Sequence, residues 1–222
     1  MRVHAAQVYE ILLDKLGPQG WWPGDTPLEV MIGAVLVQNT AWANVERALD
    51  NLRNADALDP HRLLALSPAE LEPLIRPAGY FRVKSRRLQN LMRWLVDRAE
   101  GDAERLRESN AQALREELLA INGVGPETAD SILLYALEKP VLVVDAYTLR
   151  IWARHGWIDY DVDYHQLQEH LASELPQEVG VFNELHALLV AVGKKWCKPK
   201  PHCAGCPLEQ LLPESGIAEP CW

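Results

Sequence analysis

The 222-residue chain carries 22 basic and 31 acidic side chains, a net charge of −9, which weighs against indiscriminate binding to polyanions. Its 48% hydrophobic and 24% charged residues exclude an intrinsically disordered chain. No apolar run reaches the ~18–20 residues that a bilayer span needs. The N-terminus enters an amphipathic pattern directly, without the layout of a signal peptide. A cytoplasmic location is therefore expected, where four cysteines serve as thiolate ligands sooner than as disulfides.

From the N-terminus onward the periodicity is helical. Val8, Ile11, Leu12 and Leu16 form a first apolar stripe, and Val30–Val37 reads as a buried helix. Leu88, Leu91, Met92 and Leu95 form a second stripe; Ala129, Ile132, Leu133, Ala136 and Leu137 form a third. Breakers separate these segments at Gly17-Pro18, Pro23-Gly24, Asp59-Pro60, Ser67-Pro68, Pro77 with Gly79, Gly123 with Gly125, Pro140 and Pro176. The apolar run Val141–Val144 has the composition of a short strand, but hairpin chemistry is missing around it. An all-α fold of about ten short helices is expected. From Lys198 onward the chain turns Pro- and Cys-rich, as a loop-like appendage does. Basic clusters occur at Arg82, Lys84, Arg86 and Arg87 and at Lys194, Lys195, Lys198 and Lys200. Each is a solvated face or a phosphate-facing patch, since such fields act within ~8 Å at physiological salt.

Three places carry chemistry. In Ile121-Asn122-Gly123-Val124-Gly125-Pro126-Glu127-Thr128-Ala129, two glycines permit a tight turn between helices, and Pro126 suits the first position of the next helix. Such a turn either joins two helices or lets a phosphate approach the backbone N–H groups at the new helix start. Asp145, after the apolar run and before Ala146-Tyr147-Thr148, suits a helix N-cap. A carboxylate held ionised there also suits stabilisation of positive charge on a sugar, or orientation of a water. Cys197, Cys203 and Cys206 have C-x5-C-x2-C spacing, with Cys221 further on; four thiolates suit a [4Fe–4S] cluster or a structural zinc.

The hairpin, followed by Val143-Val144-Asp145-Ala146-Tyr147, resembles the signature of the helix-hairpin-helix DNA glycosylase superfamily, of which endonuclease III is a member. Val35-Leu36-Val37-Gln38-Asn39-Thr40 and Ile75–Tyr80 with Lys84 match the same family in order and spacing, and the cysteine tail resembles its cluster loop, whose first gap is one residue longer and whose fourth cysteine is much closer. The resemblance implies two helical lobes with DNA gripped between them. One is a six-helix barrel containing the hairpin, about residues 24–133; the other combines residues 1–23 and 134–222 and holds the cysteine cluster, 197–221. It implies a monomer acting on double-stranded DNA with a damaged base flipped out, in the cytoplasm at the nucleoid. Asp145 is then the catalytic carboxylate. Gln38, Asn39, Gly123, Val124, Gly125 and Lys84 are DNA contacts, with Gln38 filling the gap left by the flipped base. Cys197, Cys203, Cys206 and Cys221 hold a [4Fe–4S] cluster, zinc being the alternative.

One position departs from the lyase branch: Glu127 stands where a lysine nucleophile is found. A glutamate cannot form a Schiff base. Tryptophan supplies 8 of the 16 aromatic residues, and Trp21-Trp22-Pro23, the Gln38 motif and Glu127 together resemble the 3-methyladenine DNA glycosylase branch. There Trp21, Trp22, Trp42, Glu127 and Lys194 line the base pocket. The activity expected is hydrolysis of the N-glycosidic bond of alkylated purines without lyase chemistry. The alternatives are a glycosylase for oxidised, deaminated or mismatched bases, and a non-catalytic DNA-structure-binding protein.

Overall fold

The computed structural model describes residues 4–21 and 24–218 and is helical among them, with no strand. Trp22 and Cys221 lie outside the described residues. In chain order the α-helices are α1 (Ala5–Leu16), α2 (Pro27–Leu36), α3 (Trp42–Asn54), α4 (Pro60–Ala65), α5 (Pro68–Ile75), α6 (Phe81–Ala99), α7 (Ala111–Leu119), α8 (Pro126–Ser131), α9 (Ala146–Arg154), α10 (Tyr164–Ser173) and α11 (Val179–Lys195). None is long and apolar enough to cross a membrane. The chain divides into two compact units, residues 23–139 and residues 1–22 with 140–222.

In the first unit, α2 is the central element. All residues from Glu29 to Leu36 are buried, and α2 packs against α3, α6, α8 and the π-helical turn Ile132–Ala136 that continues α8. Helix starts are set by side-chain caps followed by proline. Thr26 accepts from the Glu29 N–H at 3.2 Å before Pro27, Asp59 from the Arg62 N–H at 2.8 Å before Pro60, and Ser67 forms a capping box with Glu70 before Pro68. That last break splits Pro60–Ile75 into two helices, so this unit holds seven α-helices where six were expected. Its end lies at 139 rather than 133, because Leu137 and Lys139 bond back to the Ile132 and Leu133 carbonyls.

Lys84 corrects an expectation. It is only 2% exposed, and its ammonium donates at 2.8 Å to the carbonyls of Leu36 and Ala78. These are C-terminal carbonyls of α2 and of the 3₁₀ turn Arg76–Ala78, groups a helix end leaves without an internal partner. Burial, helped by the charge of Arg87, lowers its pKa to about 8. Lys84 therefore clamps two helix ends with its ammonium.

In the second unit, α11 carries nine buried residues, Phe182 to Gly193, and packs against α9 and α1. Glu174, just past α10, accepts from the Ala5 N–H at 2.6 Å and tethers the start of α1. Leu142, Val143 and Val144 are buried and Val141 half-buried, and the run has no strand partner among the described residues. Side chains of α10 serve its backbone instead: Gln168 donates to the Leu142 carbonyl at 2.6 Å, and the Val144 N–H reaches the Tyr164 hydroxyl at 3.4 Å. The run is thus no strand, in keeping with the all-α expectation, and these bonds fix the approach to Asp145.

Candidate functional site

In the first unit the turn between α7 and α8 is built around Gly123, whose φ of +99° favours glycine. A Cβ there would lie 2.2 Å from Cγ of Arg87, so α6 and the hairpin approach as closely as a missing side chain allows. Asn90 donates to the Asn122 carbonyl at 3.0 Å. Val124 is buried at 6% exposure and plugs the turn; only its backbone can serve a ligand. Gly125 faces open space, with nothing within 4 Å of its ideal Cβ.

Gln38 is engaged with this hairpin. Its amide donates to the Gly123 carbonyl at 3.3 Å and to the Thr128 hydroxyl at 2.9 Å, while its oxygen accepts from Arg87. Both ends of the amide are thereby used, so any move into DNA must exchange these bonds for new ones. Asn39 next to it is left-handed, φ 55°. Arg87 is the residue of its basic cluster that reaches the hairpin, a role that its charge alone does not announce. Trp42 opens α3 half-buried and donates its indole N–H to Glu46 at 3.1 Å. Glu127 is exposed in the first turn of α8. Tyr80, 72% exposed and left-handed at φ 47°, stands out before α6 and was not singled out from the sequence.

In the second unit Asp145 is the N-cap of α9. One oxygen, Oδ1, accepts from the backbone N–H of Thr148 at 2.7 Å and from its hydroxyl at 2.9 Å. The other, Oδ2, faces Nε2 of His186 at 3.6 Å, and both side chains are at most a tenth exposed. Burial opposes the charged form of Asp145. The hydrogen-bonding and charge of His186, with the N–H and hydroxyl of Thr148, outweigh it and hold the carboxyl below the usual aspartate range. The result is a buried, ionised carboxylate at a helix start. His186 was not singled out from the sequence. Lys194, on the same helix, places its ammonium 5.4 Å from the ring centre of Trp21.

The cysteines lie in the same unit. Cys197, Cys203 and Cys206 line one solvent-open cavity of about 340 Å³ with Arg154, His155 and Trp196. Arg154 fixes the loop, donating to the carbonyls of Lys198 (2.6 Å) and Pro199 (2.8 Å) and to Sγ of Cys197 at 3.4 Å. Arg150 holds the Cys197 carbonyl at 2.7 Å. Burial raises the thiol pKa of Cys203, and Cys197 adds to it; a bound metal centre reverses that balance and takes thiolates outright. Among the described residues no three His, Cys, Asp or Glu groups converge for a single metal ion. The three thiols share this cavity with the guanidinium of Arg154.

Residues 32–177 match the HhH-GPD superfamily base excision DNA repair protein family. A protein of Methanocaldococcus jannaschii provisionally named a DNA repair glycosylase is 44% identical over 92% of this chain and 94% of its own. Endonuclease III of Thermotoga maritima is 33% identical over 81% of this chain and 79% of its own. Among solved structures, the H. pylori 3-methyladenine DNA glycosylase MagIII bound to 1,N6-ethenoadenine is similar at TM-score 0.75 and 27% identity, over 87% of this chain and 98% of that one. A non-covalent endonuclease III–DNA complex is similar at TM-score 0.81 and 26% identity, over 96% of each chain. The chain belongs to the HhH-GPD superfamily of base excision DNA repair proteins and is a DNA glycosylase of the endonuclease III-like kind.

Proposed function

We propose that this glycosylase hydrolyses the N-glycosidic bond of alkylated purines, 3-methyladenine foremost, and does so without lyase chemistry. The observation that carries the reading is the pairing of a buried, ionised Asp145 with a glutamate, Glu127, at the position where the lyase branch has its lysine. Asp145 then stabilises positive charge building on the sugar or orients the attacking water. No amine at residue 127 is available to trap the sugar as a Schiff base.

Alkylation of a purine ring nitrogen makes the base cationic and a good leaving group, so the protein's task shifts to extrusion and selection. Extrusion costs a few kcal/mol, and a cation over an indole face recovers about 0.5–2 kcal/mol of it. Trp42 suits this better than Trp21. The Glu46 carboxylate on its indole N–H enriches the ring, whereas Trp21 already carries the Lys194 ammonium. Tyr80 and the backbone at Gly123 and Gly125 are proposed duplex contacts, with Gln38 occupying the vacated position once released from the hairpin.

Duplexes carrying single defined lesions, followed by alkaline cleavage, test the reading. 3-Methyladenine is expected to be released at least tenfold faster than uracil, thymine glycol or adenine opposite 8-oxoguanine, and borohydride is expected to trap no covalent complex. Faster release of an oxidised or deaminated base assigns the enzyme to another substrate class. A trapped adduct identifies an amine nucleophile elsewhere in the chain.

We propose further that Cys197, Cys203, Cys206 and Cys221 hold a [4Fe–4S] cluster, which supplies a structural cross-link for the loop that Arg154 and Arg150 anchor. Purified protein is expected to be brown with roughly four irons per chain. Colourless protein with one zinc would decide for the alternative, and Cys221→Ser with unchanged metal content would remove that cysteine from the ligand set.

A further inference from the structure

Most buried charged or titratable groups in this chain answer to a structural partner. Glu29 pairs with Arg53 at 2.8 Å, Asp130 with Arg115 at 2.6 Å, Lys84 and Arg154 with backbone carbonyls, and His155 with the carbonyls of Ile151 and Leu208. His186 differs, because its ring faces the carboxylate to which the chemistry is assigned. We infer that His186 is a positioning residue for Asp145: it fixes the reactive oxygen Oδ2 and keeps it anionic as the glycosidic bond opens. The inference rests on the glycosylase reading above and deepens it.

The geometry separates the two oxygens. Thr148 holds Oδ1 through two bonds of 2.7 and 2.9 Å, which ties it to the start of α9. Oδ2 is left toward His186 at 3.6 Å. That distance is longer than an ordinary hydrogen bond and can tighten by a few tenths of an ångström as charge develops. Burial of both groups strengthens the contact relative to a pair in water.

The helix register makes the pairing durable. His186 and Gly193 are seven residues apart on α11, close to two turns, and so share a face. A Cβ at Gly193 would lie 2.1 Å from the Tyr147 ring, two residues beyond Asp145. The close seat of Tyr147 on Gly193 therefore holds α9 against α11 near the Asp145–His186 contact. Around Asp145, α9 contributes Thr148, which does not titrate, α11 contributes His186, and α10 brings the Tyr164 phenol to the neighbouring Val144 N–H. His186 is the titratable group acting on the carboxylate.

His186→Leu removes the ring's charge, and His186→Gln keeps an N–H donor that does not titrate. In DNA-free protein, the ¹³C signal of the Asp145 carboxyl, identified by difference against Asp145→Asn, is expected to titrate at higher pH in His186→Leu. The acid limb of single-turnover base release should move upward with it. His186→Gln is expected to recover at least half of the lost rate at neutral pH and to give an intermediate midpoint. Wild-type midpoints in both variants would overturn the inference, whatever happened to rate or melting temperature, because loss of packing alone hydrates the carboxyl and moves its titration down, not up. If His186→Leu fails to fold, the His186→Gln midpoint decides. A wild-type protein that released no base from any duplex would count against the glycosylase reading; the carboxyl titration would still report on the pairing.

Discussion

Asp145→Asn is expected to slow single-turnover base release by about 10³-fold, the mid-range contribution of a positioned acid or base. Melting temperature and affinity for an abasic-site duplex should stay near wild type. The expectation follows from the two jobs of the side chain. As a cap, Asp145 accepts from the Thr148 N–H at 2.7 Å, and asparagine caps about as well, so stability should change by less than about 1 kcal/mol. Losing the attraction of His186 is offset by losing the desolvation of a buried charge. As a reactive group, the carboxylate supplies full negative charge in a water-poor site, which an amide does not replace. An unchanged rate would reduce Asp145 to a cap and revive the reading of a DNA-structure-binding protein without catalysis.

The separation of cap from catalyst also shows what the sequence discloses. Breaks between helices were legible because a cap and a proline are local features: Asp59-Pro60 and Ser67-Pro68 each begin a helix, as does Thr26-Pro27, which the sequence reading passed over. Asp145 was legible for the same reason. His186 was not, since a single histidine in Phe182–Gly193 reads as part of a buried stripe, and its partner lies 41 positions away in sequence. Gln38 was read as reaching toward DNA, but Arg87, Gly123 and Thr128 claim both ends of its amide from 49, 85 and 90 positions away. Lys84 was misread although the signal was present. It lies four residues before Leu88 and seven before Leu91, on the buried stripe of α6, and its charge outweighed its register in the reading. The apolar composition of Val141–Val144 reports burial, which Leu142, Val143 and Val144 show, while the partners of its backbone are side chains of α10 and come from outside the segment.

Gly193→Ala should lower stability and activity together, even though alanine is the better helix former by about 1 kcal/mol. The new methyl would lie 2.1 Å from Cδ1, 2.4 Å from Cγ and 2.8 Å from Cβ of Tyr147. Turning the ring does not relieve the overlap, because Cβ is fixed to the backbone of α9, and Arg150 stands over the ring 5.1 Å from its centre. Either Tyr147 leaves its seat or α9 moves away from α11. Overpacking of this kind costs about 1–3 kcal/mol, occasionally more; overlap that includes a backbone-fixed Cβ lies at the upper end, so after the ~1 kcal/mol gained in propensity a net loss of about 2 kcal/mol is expected. For a chain of this length that is about 4–8 °C in melting temperature. The larger effect is on chemistry. A shift of about 1 Å between α9 and α11 separates Asp145 from His186, and misplacement on that scale costs about 10²-fold in rate. Adding Tyr147→Ala removes the ring but keeps Cβ, so the double variant should recover part of the melting temperature lost by Gly193→Ala, giving a favourable coupling on the order of 1 kcal/mol in a double-mutant cycle. Additive losses would show that Gly193 matters for some reason other than the seat of Tyr147, and that the register of Asp145 against His186 is set elsewhere.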